Sequence, residues 1–111
     1  MISALLLAAI GGTYASSFID LDRQVIGDND IFGTDEDEYA NGGSGDDFIY
    51  GGGGNDLLIG GTGDDIIDGS NGDDGIAGGE GDYRLFGGRG NDEIAGGNGV
   101  DYIIGGRGAD P

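Results

Sequence analysis

A repeat of nine residues runs through most of the chain and limits what it can fold into. From Gly42 to Asp110 the units read GGSGDDFIY, GGGGNDLLI, GGTGDDIID, GSNGDDGIA, GGEGDYRLF, GGRGNDEIA, GGNGVDYII and an incomplete GGRGAD. Positions one and four are Gly in every unit, position six is Asp except at Tyr83, and position eight is Ile or Leu in each complete unit. Repeats of this kind stack into solenoids, because one short unit cannot bury its own apolar side chain.

Each unit combines a turn with a short strand. Gly, Asp and Asn in the first six positions favour tight turns, and the last three residues favour a strand. Because side chains alternate across a strand, position eight points inward and positions seven and nine point outward. We therefore predict an all-β parallel β-solenoid in which two units form a coil of 18 residues. The predicted inward residues are Ile49, Ile67, Leu85 and Ile103 in one sheet and Leu58, Ile76 and Ile94 in the other.

The composition excludes several functional classes. The chain has 22 acidic and four basic residues and a net charge of −18, so it lacks the basic surface that nucleic acids require. It contains no Cys and no His, which excludes zinc–thiolate sites, disulfides and His-based catalysis, and we predict that it is not an enzyme. Low hydrophobicity with high charge is also typical of disordered chains, so a disordered acidic tail is an alternative.

The Asp residues at position six fall into two columns when the coils are stacked. One edge of the solenoid would carry Asp47, Asp65, Tyr83 and Asp101, and the other would carry Asp56, Asp74, Asp92 and Asp110. Neighbouring strands lie about 4.8 Å apart, so the stacked carboxylates would repel each other without counterions. Calcium prefers carboxylate and carbonyl oxygens, so we predict Ca²⁺ between the turns and folding that depends on it.

The pattern GGxGxDxUx, where U is apolar, resembles the RTX (repeats-in-toxin, haemolysin-type calcium-binding) family. The resemblance implies a right-handed parallel β-roll with each ion held between turns one coil apart. One turn would supply the carbonyls of positions two and four with its Asp, and the next would supply those of positions one and three with its own Asp. The resemblance also implies a secreted, extracellular bacterial protein (a toxin, protease or adhesin-like protein) and type I secretion.

Carried onto this sequence, the resemblance implies about four complete calcium sites. They are Gly43, Gly45 and Asp47 with Gly60, Thr62 and Asp65; Gly52, Gly54 and Asp56 with Gly69, Asn71 and Asp74; Ser70, Gly72 and Asp74 with Gly87, Arg89 and Asp92; and Gly88, Gly90 and Asp92 with Gly105, Arg107 and Asp110. Tyr83 replaces a carboxylate and should weaken two further sites, those shared with Asp65 and Asp101. We expect the neighbouring Asp82 to point away from these sites.

The sequence predicts three segments. Residues 1–17 are apolar and would form a cap of the solenoid or a vestigial signal, and residues 18–41 are an acidic transitional segment. Within the latter, GDNDIF resembles a degenerate repeat with Ile31 in the inward phase, and Asp35 to Glu38 is expected to be a solvated acidic loop. Residues 42–111 are the calcium-binding β-roll, which ends inside a repeat and is expected to be truncated at its C-terminus.

The outward residues of the two predicted sheets differ. Four aromatic residues of the repeat, Phe48, Tyr50, Phe86 and Tyr102, fall on one outer face, and none falls on the other. Simple β-propensity explains aromatic residues in strands, but an exposed apolar face also favours a partner, namely a neighbouring domain or a second roll. The alternative function is an extracellular module that binds a polysaccharide or another surface, with calcium in a purely structural role.

Overall fold

The computed structural model describes residues 2–6, 16–18 and 27–108. Within them the chain forms eleven strands: β1 (Ile2–Leu6), β2 (Ser16–Phe18), β3 (Asp28–Phe32), β4 (Asp37–Asn41), β5 (Phe48–Tyr50), β6 (Leu57–Thr62), β7 (Ile66–Asp68), β8 (Gly75–Glu80), β9 (Arg84–Arg89), β10 (Glu93–Asn98) and β11 (Tyr102–Arg107). No helix long and apolar enough to cross a membrane occurs in this part of the chain.

The strands alternate between two parallel sheets. Odd-numbered strands form a six-stranded sheet in the order β1-β3-β5-β7-β9-β11, and even-numbered strands form a five-stranded sheet in the order β10-β8-β6-β4-β2. In the repeat, Ile49 pairs with Ile67 and Leu58 pairs with Ile76. Residues at the same position of alternate units therefore lie side by side in neighbouring strands of one sheet. The structure therefore confirms the predicted all-β, parallel β-roll with one coil for every two units.

The roll extends upstream of the nine-residue repeat. Ile31 in β3 pairs with Ile49, and Ala40 in β4 pairs with Leu58, in the same register as the later coils. Before them, β1 and β2 are the first strands of the two sheets and pair with β3 and β4. The predicted boundaries after residues 17 and 41 stay predictions, since residues 1, 7–15 and 19–26 lie outside the described part.

The core is a double row of position-eight side chains. Ile31, Ile49, Ile67 and Leu85 from one sheet and Ala40, Leu58 and Ile76 from the other are at most 3% exposed. Burial of one such aliphatic side chain stabilises the fold by about 1.5–3 kcal/mol. Ile94 is only partly buried and Ile103 is 46% exposed, because they lie in β10 and β11, which no later described coil covers.

Two positions show why the turns need glycine. A Cβ at Gly42 would lie 2.5 Å from Oδ2 of Asp47 and 2.8 Å from the carbonyl oxygen of Gly60, so any side chain there would clash. Position two adopts positive φ, which glycine tolerates best, and Ser70 takes the same conformation with a φ of 74°. The Ser70 carbonyl still accepts the N–H of Arg89 (2.7 Å), so the substitution preserves the backbone of the turn.

Candidate metal centres

Position six lies immediately before a strand, where the coils stack. Parallel strands of one sheet run in the same direction, so these residues form a column along each edge of the roll. Edge one contains Asn29, Asp47, Asp65, Tyr83 and Asp101, and edge two contains Glu38, Asp56, Asp74 and Asp92. All are at most 4% exposed except the half-buried Asp101. The predicted ligand Asp110 lies outside the described residues.

One oxygen of each carboxylate accepts a hydrogen bond from the preceding coil. On edge one the backbone N–H of Asp47 donates to Oδ1 of Asp65 (2.8 Å). On edge two the N–H of Asp56 donates to Oδ1 of Asp74 (2.8 Å), and the N–H of Asp74 donates to Oδ1 of Asp92 (2.9 Å). The structure thus brings together the carboxylate pairs of the first three predicted sites.

The second carboxylate oxygen is the unusual feature of these columns. Oδ2 of Asp47, Asp56, Asp65 and Asp74 is buried and has no hydrogen-bond partner among the described residues. An ionised oxygen in this state is costly, because it has lost its water without gaining a donor or a cation. Four such oxygens, two along each edge, suit a positively charged ligand between the turns.

Burial also changes the acidity of these groups. The pKa of Asp56, Asp65 and Asp74 rises to about 7, mainly because burial penalises the charged form. The hydrogen bond from the preceding coil lowers each pKa, and the charge of a neighbouring Asp in the column raises it. Burial likewise raises the pKa of Asp47. A cation between the turns would oppose these shifts by favouring the carboxylate.

The predicted carbonyl ligands lie in turns that are bonded directly to each other. In the first predicted site the N–H of Thr62 donates to the carbonyl of Gly43 (2.8 Å), and the N–H of Gly45 donates to the carbonyl of Thr62 (3.1 Å). Equivalent bonds join Gly52 to Asn71, Ser70 and Gly72 to Arg89, and Gly90 to Arg107. A carbonyl oxygen has two lone pairs, so these bonds leave capacity for a metal ion.

Carboxylates alone do not form a complete metal site here. No group of three or more Asp or Glu side chains converges in a way that could hold a metal within residues 27–108. Two carboxylates per turn pair would need several backbone carbonyls to reach the six to eight oxygens that calcium takes. This donor set fits calcium and does not fit zinc, which prefers nitrogen and sulfur ligands.

A second ladder of hydrogen bonds runs along the exposed Asp and Asn residues at position five. Oδ1 of Asp46 accepts the N–H of Asp64 (2.9 Å), and Oδ1 of Asp64 accepts the N–H of Asp82 (3.0 Å). These bonds reach forward to the next coil, whereas those at position six reach back to the preceding one. The recurrence of Asp or Asn at position five was the signal that could have predicted this ladder.

The expectation of a solvated loop at residues 35–38 is wrong for Asp37 and Glu38, which are the first two residues of β4. Glu38 is 4% exposed and occupies the position-six place of its coil. Its Oε1 and Oε2 accept the backbone N–H and the hydroxyl of Thr34 (2.5 and 2.9 Å), and its own N–H donates to Oδ1 of Asp56 (2.8 Å). The feature of the sequence that could have predicted this place is the spacing of 18 residues between Glu38 and Asp56.

Tyr83 is buried within its column and is only 1% exposed. Its hydroxyl donates to the carbonyl of Gly61 (2.5 Å), and its N–H donates to Oδ1 of Asp101 (3.2 Å). Burial, followed by the charges of Asp65 and Asp101, raises the pKa of Tyr83 to about 12, so the hydroxyl keeps its proton. Asp82 is exposed, as expected, and accepts the N–H of Val100 (2.8 Å).

The predicted aromatic face lies on the outer side of the six-stranded sheet and includes one further residue, Phe32. Phe32 and Phe48 lie with ring centroids 6.1 Å apart, and Phe86 and Tyr102 lie 6.5 Å apart. Tyr102 is 60% exposed and lines a hollow of about 350 Å³ together with Arg84 and Phe86. On the other sheet Tyr39, upstream of the repeat, is in register with Leu57, so that face is not free of aromatic residues.

Comparison with protein families identifies the repeat. The model of the RTX calcium-binding nonapeptide repeat, which describes four copies, matches residues 32–65, 50–85 and 84–110. These matches overlap and together cover more than half of the chain, including the coil that contains Glu38. Neither the curated proteins nor the solved structures gave a significant match.

Proposed function

The chain belongs to the family of RTX calcium-binding nonapeptide repeats and is a calcium-binding β-roll, and from that premise we propose that it folds when calcium binds between its coils. The proposed ligands are the position-six carboxylates and the turn carbonyls of the four sites described from the sequence. Three of these sites lie wholly within the described residues, and the fourth depends on Asp110. The repeat is a structural calcium-binding module and not a catalytic one.

The observation that carries this proposal is the set of buried, unpartnered Oδ2 atoms at Asp47, Asp56, Asp65 and Asp74. Calcium supplies the positive charge that these oxygens lack. In the folded chain the hydrogen bonds between coils fix the relative position of the turns and set the carboxylates in register. Because the unfolded chain has no such arrangement, the free energy of binding becomes free energy of folding.

Addition of calcium to the chelated protein should produce a cooperative gain of β-structure. The reason is that ions bound between coils remove the repulsion in both columns of carboxylates. Circular dichroism at neutral pH during a calcium titration measures this change. Magnesium is the control, since it demands a small octahedral site and gives up its water reluctantly. An unchanged spectrum on calcium addition would contradict the proposal and favour the disordered acidic tail.

We further propose that the chain works outside the cell as part of a secreted bacterial protein. Calcium is millimolar outside cells and far scarcer inside, and extracellular calcium modules bind with correspondingly weak affinity. A chain with a net charge of −18 would remain unfolded inside the cell and fold after export. The compartment would thereby set the folded state of the roll.

For the aromatic face we propose a second roll as the partner. Tyr50 and Tyr102 are exposed on this face, and Arg84 and Asp68 provide opposite charges that two antiparallel copies could match. Replacing Phe48, Tyr50, Phe86 and Tyr102 by Ser should abolish calcium-dependent self-association, because the apolar contact area would be lost. Sedimentation velocity with and without calcium measures this.

The matched control replaces Leu57 and Ile59, which lie on the outer face of the other sheet, by Ser. This variant should associate like the parent. A parent that stays monomeric in calcium, or a four-Ser variant that associates unchanged, would contradict the proposed partner. Binding of the parent to a glycan array, lost in the four-Ser variant, would instead assign the face to a polysaccharide.

A further inference from the structure

We infer that Asn29 and Tyr83 are built-in substitutes for calcium: each places a neutral hydrogen-bond donor on a turn carbonyl of the kind proposed to bind the cation, so these two levels of edge one take up no metal ion. Oδ2 of Asp65 keeps no hydrogen-bond partner among the described residues, so Tyr83 replaces the cation at the carbonyl and not at the carboxylate. This inference rests on the proposed function, because it assumes that the remaining turns bind calcium. It goes further, because it proposes that two positions of the same column use a side-chain donor in place of an ion.

Asn29 bridges two oxygens of the ligand types proposed for the calcium sites. Its Nδ2 donates to the carbonyl of Gly27 at 2.7 Å and to Oδ1 of Asp47 at 3.0 Å. Gly27 stands at position four of its unit, and Asp47 is the position-six carboxylate one coil later. The amide therefore joins a turn carbonyl to a carboxylate of the next coil, which is the connection that a bound ion would make.

Tyr83 makes a comparable connection further along the edge, between its own turn and the turn that contains Asp65. Its hydroxyl donates to the carbonyl of Gly61 at 2.5 Å. Gly61 stands at position two of its unit, where Gly43 and Gly52 are proposed ligands in the neighbouring sites. A Cβ at Gly60 would lie 3.1 Å from the Tyr83 ring and a Cβ at Gly78 would lie 2.7 Å from it, so the phenol fills the space between the two turns.

The two edges consequently differ in how they neutralise charge. Edge two carries a carboxylate at every described turn, from Glu38 to Asp92, and has no neutral side chain in its column. On edge one the column is Asn, Asp, Asp, Tyr, Asp, so among the described turns only Asp47 and Asp65 form an adjacent carboxylate pair. Neutral donors satisfy the carbonyls without adding charge, and they cannot be removed by a chelator.

The test counts bound calcium ions per chain, by native mass spectrometry of the whole chain at saturating calcium. Tyr83→Asp restores the carboxylate and removes the phenol, so this variant should bind at least one more ion than the parent. Asn29→Asp replaces the bridging amide by a carboxylate and should also gain an ion. Tyr83→Phe removes only the hydroxyl and should gain none.

Matched controls carry the same chemical changes at exposed sites. Tyr102→Asp lies on the outer face of β11, and Asn55→Asp lies at position five, where its Oδ1 accepts the N–H of Asp73 (2.8 Å). Neither control should change the number of ions. If Tyr83→Asp fails to fold in calcium, Asn29→Asp decides. A parent that binds no calcium refutes the proposed function, whereas a calcium-binding parent whose count neither substitution raises refutes this inference alone.

Discussion

Replacing Asp74 by Asn should raise the calcium concentration needed for half-maximal folding by roughly tenfold or more, which corresponds to about 1.4 kcal/mol or more. Asp74 belongs to two of the proposed sites, one shared with Asp56 and one shared with Asp92. Asn has nearly the same size, and its amide oxygen can still accept the N–H of Asp56 that Oδ1 of Asp74 accepts now (2.8 Å). The substitution therefore removes charge and leaves the backbone ladder intact. A calcium titration followed by circular dichroism measures the midpoint.

The neighbouring residue provides the control. Asp73 is exposed, and its Oδ1 accepts the N–H of Asn91 (2.8 Å), a bond that Asn can also accept. Asp73→Asn should leave the midpoint almost unchanged, because an exposed charge contributes little. In the presence of a chelator Asp74→Asn should stabilise the fold, since it removes a buried charge. Equal shifts for the two substitutions would show a general charge effect and contradict a role of Asp74 as a ligand.

The fold was predictable from the sequence because the repeat specifies it at several levels at once. The period gave the 18-residue register, the apolar position eight gave the core, and the degenerate unit around Ile31 was placed correctly. The coil containing Ala40 and Glu38 was missed, because its unit GTDEDEYAN has no Gly at positions two and four. This coil nevertheless keeps its place in the roll, because Ala40 pairs with Leu58 and the N–H of Glu38 donates to Oδ1 of Asp56 in the next coil.

The sequence predicted which residues of the candidate site stack along each edge, but not which of their atoms form hydrogen bonds. Spacing alone stacks Asp47 on Asp65, yet only side-chain geometry shows that Oδ1 accepts a backbone N–H while Oδ2 has no partner. The sequence likewise marked Tyr83 as a departure from the pattern. Its effect depends on where a flexible side chain points, and the hydroxyl of Tyr83 reaches Gly61 in the earlier coil, 22 residues before it in the chain.

The metal-free roll should be more stable at pH 5 than at pH 8. Asp56, Asp65 and Asp74 have an ordinary pKa of 3.8 that burial raises to about 7 in the fold. Between these values the folded chain holds more protons than the unfolded chain, so protonation favours folding. This stabilisation is fully present below about pH 3.8 and is lost as pH rises through about 7. Circular dichroism in chelator measures the dependence, as a gain of β-structure when the pH falls from 8 to 5.

Calcium should reverse the sign of this dependence. Protons and calcium compete for the same carboxylates, so the calcium affinity should increase as pH rises towards 7 and then level off. Asp65→Asn should flatten both profiles, because it removes one buried titrating group of the column. Asp64→Asn is the matched control at an exposed position, where the oxygen accepting the N–H of Asp82 is preserved (3.0 Å). A content of β-structure in chelator that increases from pH 5 to pH 8 would mean that the position-six carboxylates are not buried in the folded chain.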